Sequence, residues 1–333
     1  AWSPLTAALS GLPPARTQVR PGKGIHVVYD RRLTNYAIVA KAIDGRQVFL
    51  EPWENLTILG TTDDDYYGDL DDVVATSEEV RYLVQAMAER VPGIREARAI
   101  GTYAGVRPTL HAWGPNEDAL SREHAIVDHA PDGAPLAYSM LGGKLASFRL
   151  FAQELADVLA PRLGFDAPCS THRRPLPGGD AVPDALALAE TAGLTPVAGR
   201  RLVYRHGSRA RAVADRIARR PREAAFVCPC EPTTEAEVRH VVREEHAWTV
   251  SDVSRRTRLG LGACGGMRCA VRCGQLVAEE RGLTPAEGLG QARRFLTAAA
   301  RTRYPALTPG QARQEALALA HDAALLGPAD EAP

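Results

Sequence analysis

Residues 139–151 read SMLGGKLASFRLF, an apolar strand pattern that ends in two glycines and continues as an amphipathic helix pattern. Adjacent glycines let the backbone turn sharply and come close to a ligand, because they carry no Cβ atom. The helix that follows points its free N–H groups and the positive end of its dipole at the turn, which favours an anion or an electron-rich ring. This segment therefore predicts a mixed α and β fold with a binding turn.

Lys144 follows the two glycines directly and is one of only three lysines among 40 basic residues. The pattern alone leaves two interpretations open: a ligand-binding turn, or a tight turn with a solvated lysine. A phosphate-binding GxxxxGK loop is excluded, because its upstream glycine is absent.

The sequence around this turn predicts strands and one earlier helix. Thr76 and Glu79 form a capping-box pattern, and apolar residues recur at helical spacing after them. The predicted strands are rich in β-branched residues and are separated by turn residues: 24–30, 35–43, 46–53, 56–63, 98–108 and 134–141. Residues 1–165 thus read as a strand-rich unit of an α+β fold. The opening AWSPLTAALSGLPP predicts a loop without an initiator methionine, so we expect an N-terminal portion to precede it.

The character of the chain changes after a proline- and glycine-rich linker that begins at residue 166. Almost everything beyond the linker has a helical pattern, including a helix with a second capping-box pattern, Thr234 with Glu237. The sequence predicts an all-α C-terminal region in three parts: a helical domain, 166–225; a cysteine-rich module, 226–275; and a helical tail, 276–333.

Composition limits the classes of function. The chain of 333 residues has 40 basic and 40 acidic residues, so its net charge gives no overall attraction to nucleic acid. No apolar run approaches the ~18 residues of a membrane span, and the start shows no signal-peptide pattern. Six cysteines in a chain of this length do not make a disulfide scaffold. A globular protein of the reducing cytoplasm, without a nucleic-acid partner, is the expectation.

Arg107 and His26 are two further candidates for a binding or catalytic role. Arg107 ends a predicted strand just before Pro108, where a guanidinium can bind a carboxylate or a phosphate in a bidentate manner. Its alternative role is a structural arginine at a strand end. His26 is a candidate proton acceptor or a core histidine with its hydrogen bonds satisfied. By themselves, these positions do not decide between the alternatives.

Four of the six cysteines occur in two short segments, CPCE at 228–231 and CGGMRC at 264–269. Structural zinc usually takes C-x2-C pairs, so the C-x-C and C-x4-C spacings count against it. Four thiolates can instead hold a 2Fe–2S cluster, with one close pair on each iron. We predict the ligands to be Cys228, Cys230, Cys264 and Cys269. Cys169 and Cys273 are expected to stay outside the site, and zinc or four unrelated buried thiols remain the alternatives.

Two motifs are rejected. GLGACG at 260–265 matches G-x-G-x-x-G but follows a polar helical stretch, where a dinucleotide fingerprint needs a buried strand. The acidic run from Asp63 has Tyr67 and Val74 where a calcium loop needs ligands, so a solvated acidic turn is predicted.

Nine short motifs follow one another along the chain: KGIHVV, VFLEPW, LGTTDDDYYGD, YAGVRP, SREHAI, GGKLASFR, LPGG, YRHGS and SRRTRLGLG. In this order they resemble those of the FAD-dependent glycerol-3-phosphate dehydrogenases. The cysteine segments are similar to those in the catalytic subunit of the anaerobic type, which carries a bacterioferritin-associated-ferredoxin-like 2Fe–2S module. This resemblance implies a glutathione-reductase-like flavoprotein, with residues 1–165 as the substrate-binding and partial FAD-binding domain.

The resemblance also implies a reaction and a site. The reaction is oxidation of sn-glycerol 3-phosphate to dihydroxyacetone phosphate, with hydride transfer to FAD. The implied catalytic residues are His26, Arg107 and Lys144, with Arg122 as a supporting cation for the substrate. The implied flavin contacts are Gly142, Gly143, Lys144 and Leu145. Electrons would leave through the 2Fe–2S centre to an electron-accepting, membrane-anchoring partner and then to quinone, with the chain peripheral at the inner face of the membrane.

One departure keeps two rival functions open. The family's FAD-binding fingerprint near the N-terminus has no counterpart here, so the resemblance covers about the C-terminal two-thirds of such an enzyme. A related flavin dehydrogenase for a 2-hydroxy acid or an amine is one rival. A non-catalytic electron-transfer fragment is the other.

Overall fold

The computed structural model describes residues 1–111 and 123–327. The chain divides into two compact units. The first contains residues 1–97 and 102–174, and the second contains residues 98–101 and the chain from Pro175 onward.

The first unit carries the strands. Its helices are α1 (Ser3–Leu9), α2 (Ser77–Ala88) and α3 (Phe148–Arg162). The strands of this part of the chain are β1 (Val19–Tyr29), β2 (Ile38–Lys41), β3 (Gln47–Trp53), β4 (Leu56–Gly60), β5 (Asp64–Asp65), β6 (Ala99–Leu110), β7 (His124–Asp128) and β8 (Tyr138–Gly142).

One sheet organises this unit, in the order β2-β3-β4-β1-β5, with β6 also paired to β1. Strand β1 runs antiparallel to β4 and places His26 opposite Gly60. Strands β7 and β8 form a separate antiparallel pair that ends at the glycine turn, with His124 opposite Gly142. Strand β1 therefore lies inside the sheet, between β4 and β5, and β8 leads directly into the predicted glycine turn.

Helix α2 packs across the sheet. Its Val80, Leu83 and Met87 recur at helical spacing and are buried, as are the alternating Ile25 and Val27 of β1. The predicted capping box forms: the Thr76 hydroxyl accepts from the Glu79 N–H at 3.2 Å, and the Glu79 carboxylate accepts from the Thr76 N–H at 2.7 Å. Lys23 of β1 also donates to the Glu79 carboxylate, which ties the sheet to the start of the helix.

The second unit is helical. Its helices are α4 (Ala185–Thr191), α5 (Pro196–His206), α6 (Ala210–Arg219), α7 (Glu235–Glu244), α8 (Val250–Thr257), α9 (Ala270–Arg281), α10 (Pro285–Arg303) and α11 (Pro309–Leu326). A core of buried valines and leucines from α7, α8 and α9 includes Cys228, Cys269 and Cys273. Helices α9 and α10 cross closely where Gly274 meets Gly288, since a Cβ on Gly274 would come within 2.3 Å of the Gly288 carbonyl oxygen.

The α+β prediction is confirmed, with strands first and helices after. Three local predictions need correction. Residues Ser3–Leu9 form a helix instead of a loop, because proline is accepted in the first helical turn. The helical region contains two short strands, β9 (Phe226–Cys228) and β10 (Thr233–Thr234), which pair around the first cysteine segment.

The third correction concerns the helix cap of α7. Thr234 accepts from the Glu237 N–H at 3.1 Å as predicted. The second bond of the capping box, from the Thr234 N–H to the Glu237 carboxylate, is not formed. The buried Glu237 carboxylate is bound by Arg205 and His206 instead. Across residues 1–111 and 123–327, no helix has the length and hydropathy of a membrane span.

Candidate active site and cysteine cluster

The first unit contains a cavity of about 420 Å³. It is lined by Gly24 and His26 of β1, by residues 103–109 of β6, and by residues 143–145 of the glycine turn. The three residues that the resemblance implied to be catalytic, His26, Arg107 and Lys144, therefore all line one cavity. Their chemical roles stay a prediction.

The electrostatic state of His26 follows from its surroundings. Its ring lies flat on the ring of Tyr103, with centroids 4.7 Å apart and 6° between the planes. On the β4 side the backbone of Gly60 comes so close that a Cβ there would lie 2.2 Å from the imidazole. Burial, together with the positive charge of Arg107, lowers the pKa of His26 to about 4. The imidazole is neutral at physiological pH and is able to accept a proton.

Arg107 is held by the loop that follows β4. Its guanidinium donates to the Thr61 hydroxyl at 2.8 Å, to the Thr62 carbonyl at 3.1 Å and to the Asp63 carboxylate at 2.9 Å. It passes directly over Gly24, where a Cβ would meet the guanidinium at 2.4 Å. The sequence predicted that the guanidinium of Arg107 could bind an anionic ligand. In the structure it donates to protein groups, and these bonds fix its positive charge at the cavity wall.

Asp63 is the residue that sequence reasoning missed. The acidic run was interpreted as a solvated turn, yet Asp63 is only 7% exposed and pairs with Arg107. Its pairing joins residues 44 positions apart. One feature of the sequence sets Asp63 apart: it is the first residue of the acidic run and directly follows Thr61 and Thr62, which also accept hydrogen bonds from Arg107.

The glycine turn has the backbone that its sequence predicted. Gly142 and Gly143 have φ values of +70° and +82°, the left-handed region that glycine enters without strain. A Cβ on Gly142 would lie 2.3 Å from the Glu123 carbonyl oxygen, and one on Gly143 would lie 2.1 Å from the Phe151 ring. A side chain at either position would therefore force its surroundings to shift.

Two side chains of the turn remain open to a ligand. The side chain of Lys144 is exposed and makes no hydrogen bond or ion pair with any residue of the described ranges. Leu145, beside it, is 88% exposed although it is apolar. Arg122, the predicted supporting cation, lies outside the described residues.

The four predicted cysteine ligands lie in the second unit and approach one another. The sulfur atoms of Cys230 and Cys264 are 3.9 Å apart. Cys269 lies close enough to Cys228 to be the main cause of the lowered pKa of Cys228. Both contacts join one cysteine segment to the other, whereas the spacing in the sequence predicted that each iron would take a pair within one segment. Only the folded chain shows which sulfurs are neighbours.

The surroundings of these thiols shift their pKa values in opposite directions. The neighbouring Cys269 thiol and the backbone N–H groups of Gly260, Glu231 and Cys230 lower the pKa of Cys228 to about 6. Burial and the neighbouring Cys264 raise the pKa of Cys230 to about 11. Cys228 is therefore the thiol that this fold most favours as a thiolate.

The glycines at 260, 262, 265 and 266, in and just before the second cysteine segment, let this loop close over the first segment. Gly260, Gly265 and Gly266 all have positive φ values, of +86°, +60° and +92°. Gly262 lies against Cys230, where a Cβ would meet the Cys230 Cβ at 2.5 Å. This loop connects α8 to α9 and follows a helix, so rejecting GLGACG as a dinucleotide fingerprint was correct.

The two remaining cysteines differ. Cys273 is fully buried within α9, and burial together with Cys228 raises its pKa. Cys169 is half-buried and belongs to the first unit. Cys273 thus lies near the group, and Cys169 is not part of the unit that contains it.

Two family models match the chain. Residues 1–149 match the model described as FAD dependent oxidoreductase, and residues 169–287 match the C-terminal domain of alpha-glycerophosphate oxidase. The boundary between the models falls in the proline-rich linker.

Curated relatives match most of the chain. It is 31% identical over 284 residues to the A1 subunit of the anaerobic glycerol-3-phosphate dehydrogenase of Haloferax volcanii, covering 84% of this chain and 47% of the relative. It is also 31% identical to the corresponding subunit of the anaerobic enzyme of Escherichia coli K12, covering 84% of this chain and 52% of that relative. The chain thus spans about half the length of these relatives.

A solved structure has the same fold. It is the glycerol-3-phosphate dehydrogenase from Bacillus halodurans complexed with FAD, with a TM-score of 0.69 and 22% identity. The match covers 92% of this chain and 62% of that one.

Proposed function

The chain belongs to the family of FAD-dependent oxidoreductases that includes the glycerol-3-phosphate dehydrogenases, and on this premise we propose that it oxidises sn-glycerol 3-phosphate to dihydroxyacetone phosphate as part of the whole enzyme. The observation that carries the proposal is that His26, Arg107 and Lys144 line one cavity. That set combines a neutral base with two cations, which is what oxidation of a phosphorylated alcohol requires.

The cavity fits a flavin ring and an anionic substrate. Its walls include Tyr103, Val106, Pro108 and the exposed Leu145, which provide apolar surface for an aromatic ring system. Gly142, Gly143, Lys144 and Leu145 would hold the flavin edge, with the backbone of the turn facing it. When bound, FAD would accept the hydride that leaves C2 of the substrate.

The chain's own residues would do the remaining work. A neutral ring nitrogen of His26 takes the proton of the C2 hydroxyl, since its low pKa leaves it free to accept one. Lys144 supplies a mobile cation for the phosphate or the forming alkoxide. Arg107, fixed by Thr61 and Asp63, contributes a preorganised positive charge at the wall. Arg122 is assigned to the substrate by resemblance alone.

Turnover of the full-length protein tests this proposal. We expect reduction of an artificial acceptor dye with sn-glycerol 3-phosphate, and much weaker reduction with 2-hydroxy acids, amines or unphosphorylated glycerol. A flavin absorption spectrum of the same sample separates an inactive enzyme from a fragment that holds no flavin. Preference for a 2-hydroxy acid or an amine, or a protein without flavin, would replace the proposal with one of its two rivals.

The cysteine group supports a second element of the proposal, a 2Fe–2S cluster on Cys228, Cys230, Cys264 and Cys269. Among the described residues, no three of these sulfurs lie within 4.8 Å of one another, although Cys230 and Cys264 are 3.9 Å apart. A single tetrahedral zinc would draw all four together, whereas two irons suit two separate sulfur pairs. Electrons would pass from this cluster to an electron-accepting, membrane-anchoring partner and then to quinone, at the cytoplasmic face of the membrane.

Metal analysis after anaerobic purification tests the cluster. We expect iron and acid-labile sulfide in the equal ratio of a 2Fe–2S centre, lost in Cys264→Ser and retained in Cys169→Ser. Stoichiometric zinc without sulfide would mean a structural zinc site.

A further inference from the structure

We propose that the helical unit holds a second metal site, for a divalent transition cation such as Zn²⁺, formed by His206, His240 and Glu245. One ligand atom from each residue lies within 4.8 Å of the other two. The Glu245 carboxylate oxygen is 3.6 Å from Nδ1 of His206 and 3.9 Å from Nε2 of His240. A ligand set of two imidazoles and one carboxylate suits zinc and its neighbours, and it leaves a fourth position open.

The fold brings the three ligands together from separate places. His206 ends α5, His240 is in the middle of α7, and Glu245 follows the last turn of α7. The side chains are shielded from solvent, being 2%, 10% and 16% exposed in that order. The two imidazole rings meet edge to face, 5.9 Å between centroids. A metal would need to draw each ligand inward by only a fraction of an ångström.

His240 carries the strongest evidence. Its Nε2 atom is buried and has no hydrogen-bond partner within the described part of the chain. A buried polar atom without a partner is costly, and a bound ion is one of the few explanations for it. The same atom is the one that faces Glu245.

His206 has the arrangement that metal-bound histidines usually have. Its Nε2 bonds the Glu237 carboxylate at 2.9 Å, which leaves Nδ1 directed at Glu245. A carboxylate behind the ring orients a ligand histidine and raises its basicity. Glu237 is itself fully buried and paired with Arg205 at 2.7 Å, so the carboxylate that orients His206 is held in place.

An ion pair is the competing explanation, and it accounts for only part of the group. Glu237 and Glu245 raise the pKa of His206 to about 9 against the effect of burial, so His206 is explained as a protonated partner of two carboxylates. That state leaves Nε2 of His240 without a partner. A divalent ion would bind Nδ1 of His206, Nε2 of His240 and the Glu245 oxygen at once.

One cation opposes the site. Arg209 lies 3.4 Å from the same Glu245 oxygen and competes with a metal for it. Its side chain is 45% exposed, so it has room to move away. His240 also lines a cavity of about 480 Å³ that carries Arg209, Arg216, Arg219 and Arg243. This cavity offers an entry path. Its Arg216 and Arg243 are paired with Glu223 and Glu280, and Glu244 also lines it, so part of its positive charge is balanced.

The test separates this site from the cysteine group. In a Cys230→Ser/Cys264→Ser background of the full chain, stripped of metal, we would titrate Zn²⁺ by calorimetry. We expect one saturable equivalent, which His240→Gln weakens by at least about tenfold. His321→Gln, which changes an exposed histidine of α11, is the matched control and should bind like the background. Arg209→Gln should bind more tightly, because it removes the competing cation.

X-ray absorption of the zinc-loaded background gives a second readout, one that does not depend on the folding of the His240 variant. Nitrogen and oxygen ligation without sulfur is expected. Absence of a saturable equivalent, equal affinity in His240→Gln with its circular dichroism unchanged, or sulfur in the coordination shell would each overturn the proposal.

Discussion

The imidazole of His26 lies flat against the phenol ring of Tyr103, 4.7 Å away, with Arg107 as the nearest influential charge. This packing removes water from one face of the ring and keeps the imidazole neutral. It explains how a histidine in a strand becomes available as a base beside two cations.

We expect His26 to make the stability of the chain depend on pH on the acid side. Its folded pKa of about 4 lies below the unfolded value of 6.5, so the unfolded chain binds the proton more readily between these two pH values. The contribution of His26 to the free energy of unfolding is therefore fully present above pH 6.5 and is lost as the pH drops toward 4. Discounted for partial exposure, the loss should be on the order of 1–2 kcal/mol.

Urea unfolding at several pH values measures this effect. His26→Gln should flatten the curve between pH 6.5 and 4, while His172→Gln, at an exposed position, should not. An unchanged slope in His26→Gln would show that another group titrates there.

Arg107→Lys should lower kcat/KM in the full-length enzyme by an amount on the order of 2–4 kcal/mol in transition-state binding. Lysine keeps the charge but cannot bond the hydroxyl of Thr61, the carbonyl of Thr62 and the Asp63 carboxylate together. The exposed Arg81 serves as the control in Arg81→Lys. Equal steady-state kinetics for the two variants would make Arg107 a structural residue only.

Gly143→Ala should destabilise the first unit and weaken flavin binding. The new methyl group would strike the Phe151 ring in a left-handed backbone. Gly133→Ala is a close control, because Gly133 has the same φ of +82° but nothing within 4 Å of its Cβ position. The backbone cost shared by both is about 1–2 kcal/mol.

The free energy of unfolding and the flavin content are measured for both variants. Their difference gives the cost of the clash with the Phe151 ring, because the backbone cost is shared. We expect Gly143→Ala to lose about 1–3 kcal/mol more than Gly133→Ala. Matching losses would mean that the Phe151 ring simply moves aside.

Mild oxidation of the metal-free chain should form a disulfide between Cys230 and Cys264. Their sulfurs are 3.9 Å apart, and Cys230 is exposed to an oxidant such as peroxide. Peptide mapping by mass spectrometry identifies the bond, which should survive Cys228→Ser and vanish in Cys264→Ser. A bond between Cys228 and Cys230 would instead restore the pairing within one segment.

The local features of this protein were readable from its residues. A run rich in β-branched residues predicted β1, helical spacing with the Thr76–Glu79 pair predicted α2, and adjacent glycines predicted the turn at 142–143. These predictions succeed because strand and helix periods, caps and left-handed turns depend on residues only a few positions apart. The chemical roles predicted for Lys144 and for the cysteines rest on side-chain identity and resemblance, and they stay predictions.

Pairings over long stretches of chain were decided only by the fold. Arg107 with Asp63, Cys230 with Cys264, and His206 with Glu245 all join residues more than thirty positions apart. The Thr234 cap lost its reciprocal bond for the same reason, since Arg205 and His206 reach Glu237 from another helix. Which distant groups meet depends on how whole sheets and helices pack to bury their apolar faces, and no local pattern contains that information.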